Sequence, residues 1–259
     1  MKLLMFGDVV GDAGTQSFRK HAPRLKREYG AELVIVNGEN SAAGNGITEQ
    51  SAQQLFAGGA DVITTGNHCF RRRCDRIFSD PRILRPANYP GDAPGSGLYV
   101  LDCGRFSLAV INLMGTAFMT PLDNPFSVID SLLETVDTPN ILVDFHAEAT
   151  AEKRAMGWYL SGRVSAVIGT HTHVQTADEE ILDGKTGYLT DVGMNGGERS
   201  VLGVQVAQAV EKQRFHRPVQ FQEAGAPCLI NAVCLEIDTK SGICTKIDRV
   251  FARESTIIL

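Results

Sequence analysis

Short apolar runs alternate with segments of helical period along the chain, and this alternation predicts its secondary structure. Five apolar runs have the length of a buried strand, namely residues 2–7, 32–37, 61–65, 140–145 and 164–169. Between these runs, apolar residues recur at helical spacing over 15–29, 48–59 and 150–161. Thr48 stands where a helix cap is expected, and Pro23 predicts a bend or a second start in the first helix.

The rest of the chain adds antiparallel hairpins. Residues 97–113 predict a hairpin that turns at Cys103 and Gly104, and the last two apolar runs, APCLINAVCLEID and ICTKIDRVFAR, are joined by the turn sequence TKSG. A strand in GYLTDVG precedes a helix near 202–212. Alternating strands and helices followed by hairpins predict an α/β fold with mixed sheets covered by helices. No linker or repeat divides the sequence, so we expect a single domain over 1–259.

Composition and charge narrow the class of protein. The 259 residues are 43% hydrophobic and 21% charged, which is enough apolar material for a large core. A net charge of −5 argues against a surface for duplex nucleic acid, and no apolar run approaches the roughly 18 residues that span a bilayer. The six cysteines form no CxxC pair, and the N-terminal run is too short for a signal peptide. We therefore expect a cytoplasmic protein with free thiols and no membrane contact.

Polar side chains follow the predicted strands at the points where they end. In an open α/β sheet the carboxyl ends of parallel strands meet at one edge, where ligands bind. The sequence GTHTHVQT also places two imidazoles one residue apart, so in an extended segment both point to the same side. We therefore expect one cluster of metal-type ligands from five strand ends: Asp8, Glu39, Asn40, Asn67, His146, His171 and His173.

Other polar residues and glycines have simpler interpretations. The glycines of GDVVGDAG resemble a dinucleotide-binding loop, but their spacing departs from GxGxxG and Asp8 would repel a pyrophosphate. Asp191 is left open as a neighbour of the cluster that does not itself bind metal. The remaining candidates are interpreted as surface histidines or as helix-start and solvated charges: His21, His216, Glu148, Asp178, Glu179 and Glu180.

The composition of the cluster points to two metal ions. Two carboxylates, two amides and three imidazoles exceed the ligands of one tetrahedral zinc. Two ions about 3.5–4 Å apart, sharing a bridging group, would use all seven, and Glu39 with two oxygens is the natural bridge. Such a pair supplies a hydroxide nucleophile and binds a phosphoryl group. His68 follows Asn67 and points to the opposite side, so we expect it to reach the substrate as a general acid.

The order GD, GEN, GNH, a lone histidine and GTHTH resembles the metallophosphoesterases of the calcineurin-like superfamily. The match is closest to the bacterial branch of 2′,3′-cyclic-nucleotide 2′-phosphodiesterases and includes NGENSAAGNGIT and TTGNHCF. The resemblance implies a four-layer αββα sandwich with two mixed sheets and two transition-metal ions, iron or else manganese. It implies two ligand sets that share Glu39, with His68 as the acid: Asp8, Glu39, Asn40 and His173 for one ion, and Glu39, Asn67, His146 and His171 for the other.

Two departures from the wider superfamily agree with this bacterial branch. The usual D-x-H opening is absent, because Val9 and Val10 follow Asp8, and Glu39-Asn40 stands where an aspartate is usual. The implied substrate is a small phosphodiester or cyclic nucleotide. A regulatory protein that binds a nucleotide or a partner through the same metals is the alternative, and the sequence leaves a homo-oligomer open.

Overall fold

Two mixed β-sheets flanked by helices make up the computed structural model, which describes residues 1–256. The strands β1 to β13 are, in chain order, Lys2–Phe6, Asp8–Val9, Leu33–Asn37, Val62–Thr64, Leu98–Asp102, Ser107–Met114, Ile141–His146, Ala166–Thr170, Glu180–Leu182, Thr186–Leu189, Met194–Gly197, Cys228–Ile237 and Cys244–Arg253. The helices α1 to α5 are Gly11–Tyr29, Glu49–Ala57, Pro125–Leu133, Thr150–Tyr159 and Val206–Phe215, and a 3₁₀ turn covers Asp75–Ser79.

The first sheet joins the beginning and the end of the described chain. Its order is β2-β11-β12-β1-β3-β4, and β13 pairs with β12. Strand β1 lies parallel to β3 and antiparallel to β12, and β3 lies parallel to β4. The second sheet has the order β5-β6-β7-β8-β10-β9, and its strands β6, β7, β8 and β10 are parallel. The parallel strands of each sheet therefore end at a common edge.

Three hydrophobic layers separate the sheets and helices. Strand β1 is apolar on both faces: Phe6 packs edge-on against Phe18 of α1 with ring centroids 5.0 Å apart, and Met5 faces the second sheet in the core between the sheets. On the far side of the second sheet, Phe145 packs with Met156 of α4. Each fully buried side chain of this size contributes about 1.5–3 kcal/mol. The resulting order is helix, sheet, sheet, helix, which confirms the predicted four-layer α/β sandwich.

The predicted strands all form, but several helix boundaries differ from the prediction. Helix α1 begins at Gly11 rather than residue 15, and glycine at position 14 lets its first turn approach the backbone of Asn195 in β11. Pro23 lies inside this helix without ending it. Helix α5 covers Val206–Phe215 rather than 202–212, since Val204 forms a β-bridge with a later residue.

One histidine prediction is wrong. The sequence predicts His21 at the surface, yet only 3% of it is exposed, because its Nε2 lies 2.9 Å from a carboxylate oxygen of Glu254. Glu180 is also not at a helix start, since it opens strand β9 and forms an ion pair with Arg154. His216 is exposed, as expected, at the end of α5. Within residues 1–256, the structure has no helix long and apolar enough to cross a bilayer.

Candidate metal centre

The seven predicted ligands and His68 lie at the common edge of the two sheets. Asp8 opens β2, Glu39 and Asn40 follow β3, and Asn67 follows β4, so these four come from the first sheet. The three histidines come from the second sheet, where His146 ends β7 and the other two, His171 and His173, follow β8. Asp8, Glu39, Asn40 and His146 are buried, and the rest are partly exposed.

His146 is the middle of one half of the centre. Its Nε2 lies 3.2 Å from Oε1 of Glu39, 3.0 Å from Oδ1 of Asn67 and 3.0 Å from Nδ1 of His171. The ligand atoms of Glu39, His146 and His171 all lie within 4.8 Å of one another, a spacing that suits a shared metal ion. These four residues are the ones assigned by resemblance to the same ion.

Asp8 and His173 form the other half. The Nε2 of His173 lies 3.8 Å from Oδ1 of Asp8 and 3.3 Å from the amide nitrogen of Asn40. Oδ1 of Asp8 is buried and accepts no hydrogen bond from the protein. A buried carboxylate oxygen without a donor is costly unless a cation lies beside it. The lack of a hydrogen-bond donor at this buried oxygen is the observation that best fits a bound metal.

The imidazole of His146 is fixed from behind by residues that sequence reasoning missed. Its Nδ1 lies 2.9 Å from the hydroxyl of Thr170, which donates to the buried carboxylate of Asp144 over 2.7 Å. Asp144 also accepts hydrogen bonds from Thr64 and Asn37. These contacts direct Nε2 of His146 toward Glu39. The sequence signal that could have indicated this support is Asp144, an aspartate inside the apolar run ILVDFH.

The loop GTHTH differs from the predicted extended segment. His171 and His173 both have positive φ, 103° and 65°, a conformation that costs side-chain-bearing residues about 1–3 kcal/mol. Two carboxylates hold the strained backbone, since Asp8 accepts from the N–H of His171 at 3.1 Å and Asp191 from that of Thr172 at 3.0 Å. The turned backbone sends His171 to one half of the centre and His173 to the other.

Each histidine of this loop has one ring nitrogen occupied outside the centre. Nδ1 of His173 donates to the carbonyl of Leu202 over 3.0 Å, which leaves Nε2 for the side of Asp8. Nε2 of His171 lies 3.1 Å from Glu148, which leaves Nδ1 for the side of His146. Glu148 stands two residues before α4 and is half exposed, as expected of a helix-start or solvated charge, and its carboxylate in addition orients the ring of His171, a predicted metal ligand.

Asp191, whose role the sequence leaves undecided, supports the backbone of this loop. Its carboxylate lies 2.7 Å from the ammonium of Lys153 in α4, and both side chains are fully buried. It also accepts from the N–H of Gly193. No sequence pattern indicates this role for Lys153, because a lysine in an amphipathic helix usually faces solvent.

His68 lies beside the centre in the same turn as Asn67, rather than in the extended segment that was predicted, and its Nδ1 is 3.5 Å from Oε1 of Glu39. Its backbone N–H donates to Oε2 of Glu39 at 3.0 Å, and its Nδ1 lies 2.8 Å from Oδ1 of Asn40. Asn40 therefore presents its amide nitrogen, not its oxygen, to Glu39 and His173. Binding a cation through Asn40 requires the amide to rotate, and the rotated amide would donate to Nδ1 of His68.

Glycine at position 66 is required by close packing. A Cβ at Gly66 would overlap the imidazole of His146 from the neighbouring sheet. The absence of a side chain lets the turn before Asn67 pass directly over the ring of His146. This close approach brings the two sheets together at the centre.

Burial and mutual charge set the ionisation of the cluster. Burial raises the pKa of Glu39, but the attraction of His146 and His68 outweighs burial and brings that pKa to about 2. Burial lowers the pKa of His146, yet Glu39 and Asp8 outweigh it and raise the pKa to about 9. Burial, together with the neighbouring His146, lowers the pKa of His171 to about 3. Because a ligand imidazole must be neutral, metal binding at His146 would release a proton.

Comparison with known proteins places this chain in a family. The chain is 43% identical to a 2′,3′-cyclic-nucleotide 2′-phosphodiesterase of Bacillus subtilis over 258 residues, 98% of each protein. Two crystal structures each have a TM-score of 0.93. One is a hypothetical protein from Thermus thermophilus, 38% identical and covering 98% of this chain and 100% of that one. The other is a novel phosphatase from Mycoplasma pneumoniae, 32% identical and covering 98% and 93%. Residues 4–250 match the family model described as YmdB-like protein, and the chain therefore belongs to the YmdB-like family.

Proposed function

We propose that the chain is a metal-dependent phosphodiesterase that hydrolyses small cyclic nucleotides, with 2′,3′-cyclic nucleotides as the preferred substrates. The observation that carries this proposal is the buried, donor-free oxygen of Asp8 within a ring of carboxylate, amide and imidazole groups. The identity to the Bacillus subtilis phosphodiesterase supports the choice of substrate.

The residues of the cluster suit two ions. Asp8, Asn40 and His173 would hold one, Asn67, His146 and His171 the other, and Glu39 with its two oxygens would serve both. Imidazole suits iron, zinc and nickel and carboxylate suits manganese, so the ligand types alone do not choose the metal. Iron first and manganese second follow from the resemblance to the metallophosphoesterases. Bound divalent ions lower the pKa of water and withdraw negative charge from a phosphoryl oxygen.

His68 would act on the leaving oxygen. Hydrolysis forms a bond between phosphorus and a water oxygen and breaks the bond to the ribose 2′ oxygen, which then needs a proton. Once the Asn40 amide rotates to bind a cation through its oxygen, its nitrogen would donate to Nδ1 of His68, so that Nε2 carries the proton and could give it to this leaving oxygen. A metal-containing regulatory protein would need no partly exposed imidazole beside its cluster, and His68 therefore favours the enzyme over that alternative.

Metal content and turnover test the proposal together. We expect two transition-metal ions per chain by elemental analysis, and hydrolysis of 2′,3′-cyclic nucleotides. Asp8→Asn and Glu39→Gln should each lose metal and turnover, because each removes a charge from the ligand set. Asp12→Asn, an exposed neighbour on α1, is the matched control and should behave as the parent protein. Full activity with full metal content in Asp8→Asn would disprove the ligand assignment.

The role of His68 has its own test. His68→Ala should keep both ions and slow hydrolysis of 2′,3′-cyclic nucleotides by roughly 10²–10⁴, the usual effect of losing a general acid. The loss should shrink for a nitrophenyl phosphodiester, whose leaving group departs as a stable anion. Equal losses on both substrates would show that His68 positions the phosphate, and loss of metal would make it a ligand.

A further inference from the structure

A cavity of about 370 Å³ begins beside the candidate metal centre. His173 forms part of its wall, and so does Leu202, whose carbonyl accepts from Nδ1 of His173. His173 therefore borders both the cavity and the candidate metal centre, where its Nε2 faces Asp8. Four other surface cavities of the described chain include none of the eight predicted site residues. This cavity is thus placed to receive the part of a substrate that extends from the metal-bound phosphate.

Its walls expose large apolar side chains. Val174, Leu202 and Phe251 come from three separate segments, and each is half exposed, at 58%, 50% and 51%. Exposed apolar side chains grouped around one concave site mark ligand-binding surfaces. Phe251 offers an aromatic face, which is the side-chain feature on which nucleobases stack.

The floor of the cavity is rigid. The amide nitrogen of Gln175 donates to the carbonyls of Val192, Ala232 and Val250 over 3.1–3.2 Å. Two of these contacts, to Ala232 in β12 and Val250 in β13, tie the segment after His173 to the first sheet. A preorganised floor lowers the entropy lost when a ligand binds. Polar groups complete the rim of the cavity, among them Arg249 and Glu198.

We propose that this cavity is the nucleoside subsite of the enzyme, in which the base of the substrate stacks on Phe251 between Val174 and Leu202. The inference rests on the proposed function, since it places the phosphate of the same substrate at the metal centre. The ribose then passes along His173. Specificity for nucleotides over other phosphodiesters would arise at this subsite, and hydrolysis would arise at the metal centre.

Binding of two inhibitors to the metal-loaded protein tests the subsite without requiring turnover. Phe251→Ala should weaken binding of adenosine 3′-monophosphate by roughly 5- to 100-fold, the value of one lost base-stacking contact. Binding of inorganic phosphate should stay unchanged, and Phe251→Tyr should restore nucleotide binding. Phe215→Ala is the matched control, because Phe215 is also half exposed but does not line the cavity.

Three outcomes would overturn the subsite. Unchanged nucleotide binding in Phe251→Ala would place the base elsewhere, and equal weakening of nucleotide and phosphate would mean that the substitution disturbs the metal centre. A changed oligomeric state of Phe251→Ala, measured by light scattering, would assign the apolar walls to a second copy of the chain. Failure of the proposed function would be visible separately, as tight nucleotide binding without hydrolysis in the parent protein.

Discussion

Lys153 shows how a single residue can support a site that it does not touch. Its ammonium is buried in the protein with Asp191 as the counterion, and Asp191 in turn binds the N–H of Thr172 between the two loop histidines. Desolvation of both charges makes such a pair a poor source of stability compared with apolar residues. The pair instead fixes the strained backbone of the loop GTHTH.

We predict that Lys153→Met is strongly destabilising. The change leaves Asp191 buried without a counterion, so urea denaturation should show a loss of about 3–5 kcal/mol in the free energy of unfolding. The double variant Lys153→Met/Asp191→Asn should recover part of that loss, and the exposed Lys20→Met should change little. A loss below about 1 kcal/mol in Lys153→Met would show that Asp191 does not depend on this lysine.

At this scale the sequence predicts the residues that end strands and misses those that support them. Asp8, Glu39 and His146 were found because parallel strands must end at one edge. Asp144 and Lys153 were missed, because a polar residue inside an apolar run or a helix becomes meaningful only when packing places it. The alternation rule also failed for His171 and His173, whose loop is held in positive φ by carboxylates distant in sequence.

Among the elements, helix α1 is tied to the first sheet by one carboxylate. Glu254, just after β13, accepts from the hydroxyl of Ser17 at 3.0 Å, from Nε2 of His21 at 2.9 Å and from the N–H of Cys228 at 2.8 Å. Burial raises the pKa of Glu254, but these hydrogen bonds outweigh burial and lower it below the ordinary value of 4.5. Burial also lowers the pKa of His21, despite the opposing effect of Glu254.

The lowered pKa of Glu254 determines how the stability of the protein depends on pH. A carboxyl group with a lowered pKa in the folded state stabilises the protein above pH 4.5 and loses that contribution as the pH falls through the folded value. We predict that Glu254→Gln lowers the free energy of unfolding at pH 7 by about 1–3 kcal/mol. The difference from the parent should shrink at pH 3.5, as measured by urea denaturation at both pH values.

The exposed Glu28→Gln on the same helix is the control for this comparison, because its carboxylate is only weakly paired. A difference between Glu254→Gln and the parent that stays constant from pH 7 to pH 3.5 would mean that the charge of Glu254 is not what ties α1 to the sheet.

Elements with strong periodicity were predicted well, and short or irregular ones were not. Strands β2 and β11 have two and four residues, too few to show alternation, and form because β2 pairs with β11 beside the centre. Helix α3 was missed although Asn124 caps it and Pro125 opens it, because its loop neighbours interrupt the apolar pattern. Helix α5 begins at Val206, later in the chain than predicted, because Val204 forms a β-bridge and is not available to the helix.

Over the whole molecule, the candidate ions would join the two sheets, since their ligands come from both. We predict that chelation lowers the melting temperature. Ions at 100 times their dissociation constant add about 2.7 kcal/mol, which corresponds to roughly 5–10 °C for a protein of this size. Calorimetry with and without EDTA measures the shift, and His146→Ala, which lacks a ligand of only one of the two ions, should show a smaller shift than the parent protein. Equal melting temperatures of the parent with and without chelator would argue against a structural coupling of metal and sheets.

The position of β1 also governs when the protein can fold during synthesis. Its five residues are made long before one of its two partner strands, β12, at residues 228–237. At about 5–20 residues per second, roughly 10–45 s pass before that partner leaves the ribosome's catalytic centre. Until then one edge of this largely buried strand has no partner strand. During synthesis the hydrogen-bonding edge of β1 that will pair with β12 therefore stays exposed. A chaperone that binds apolar strands would act on the nascent chain during that interval.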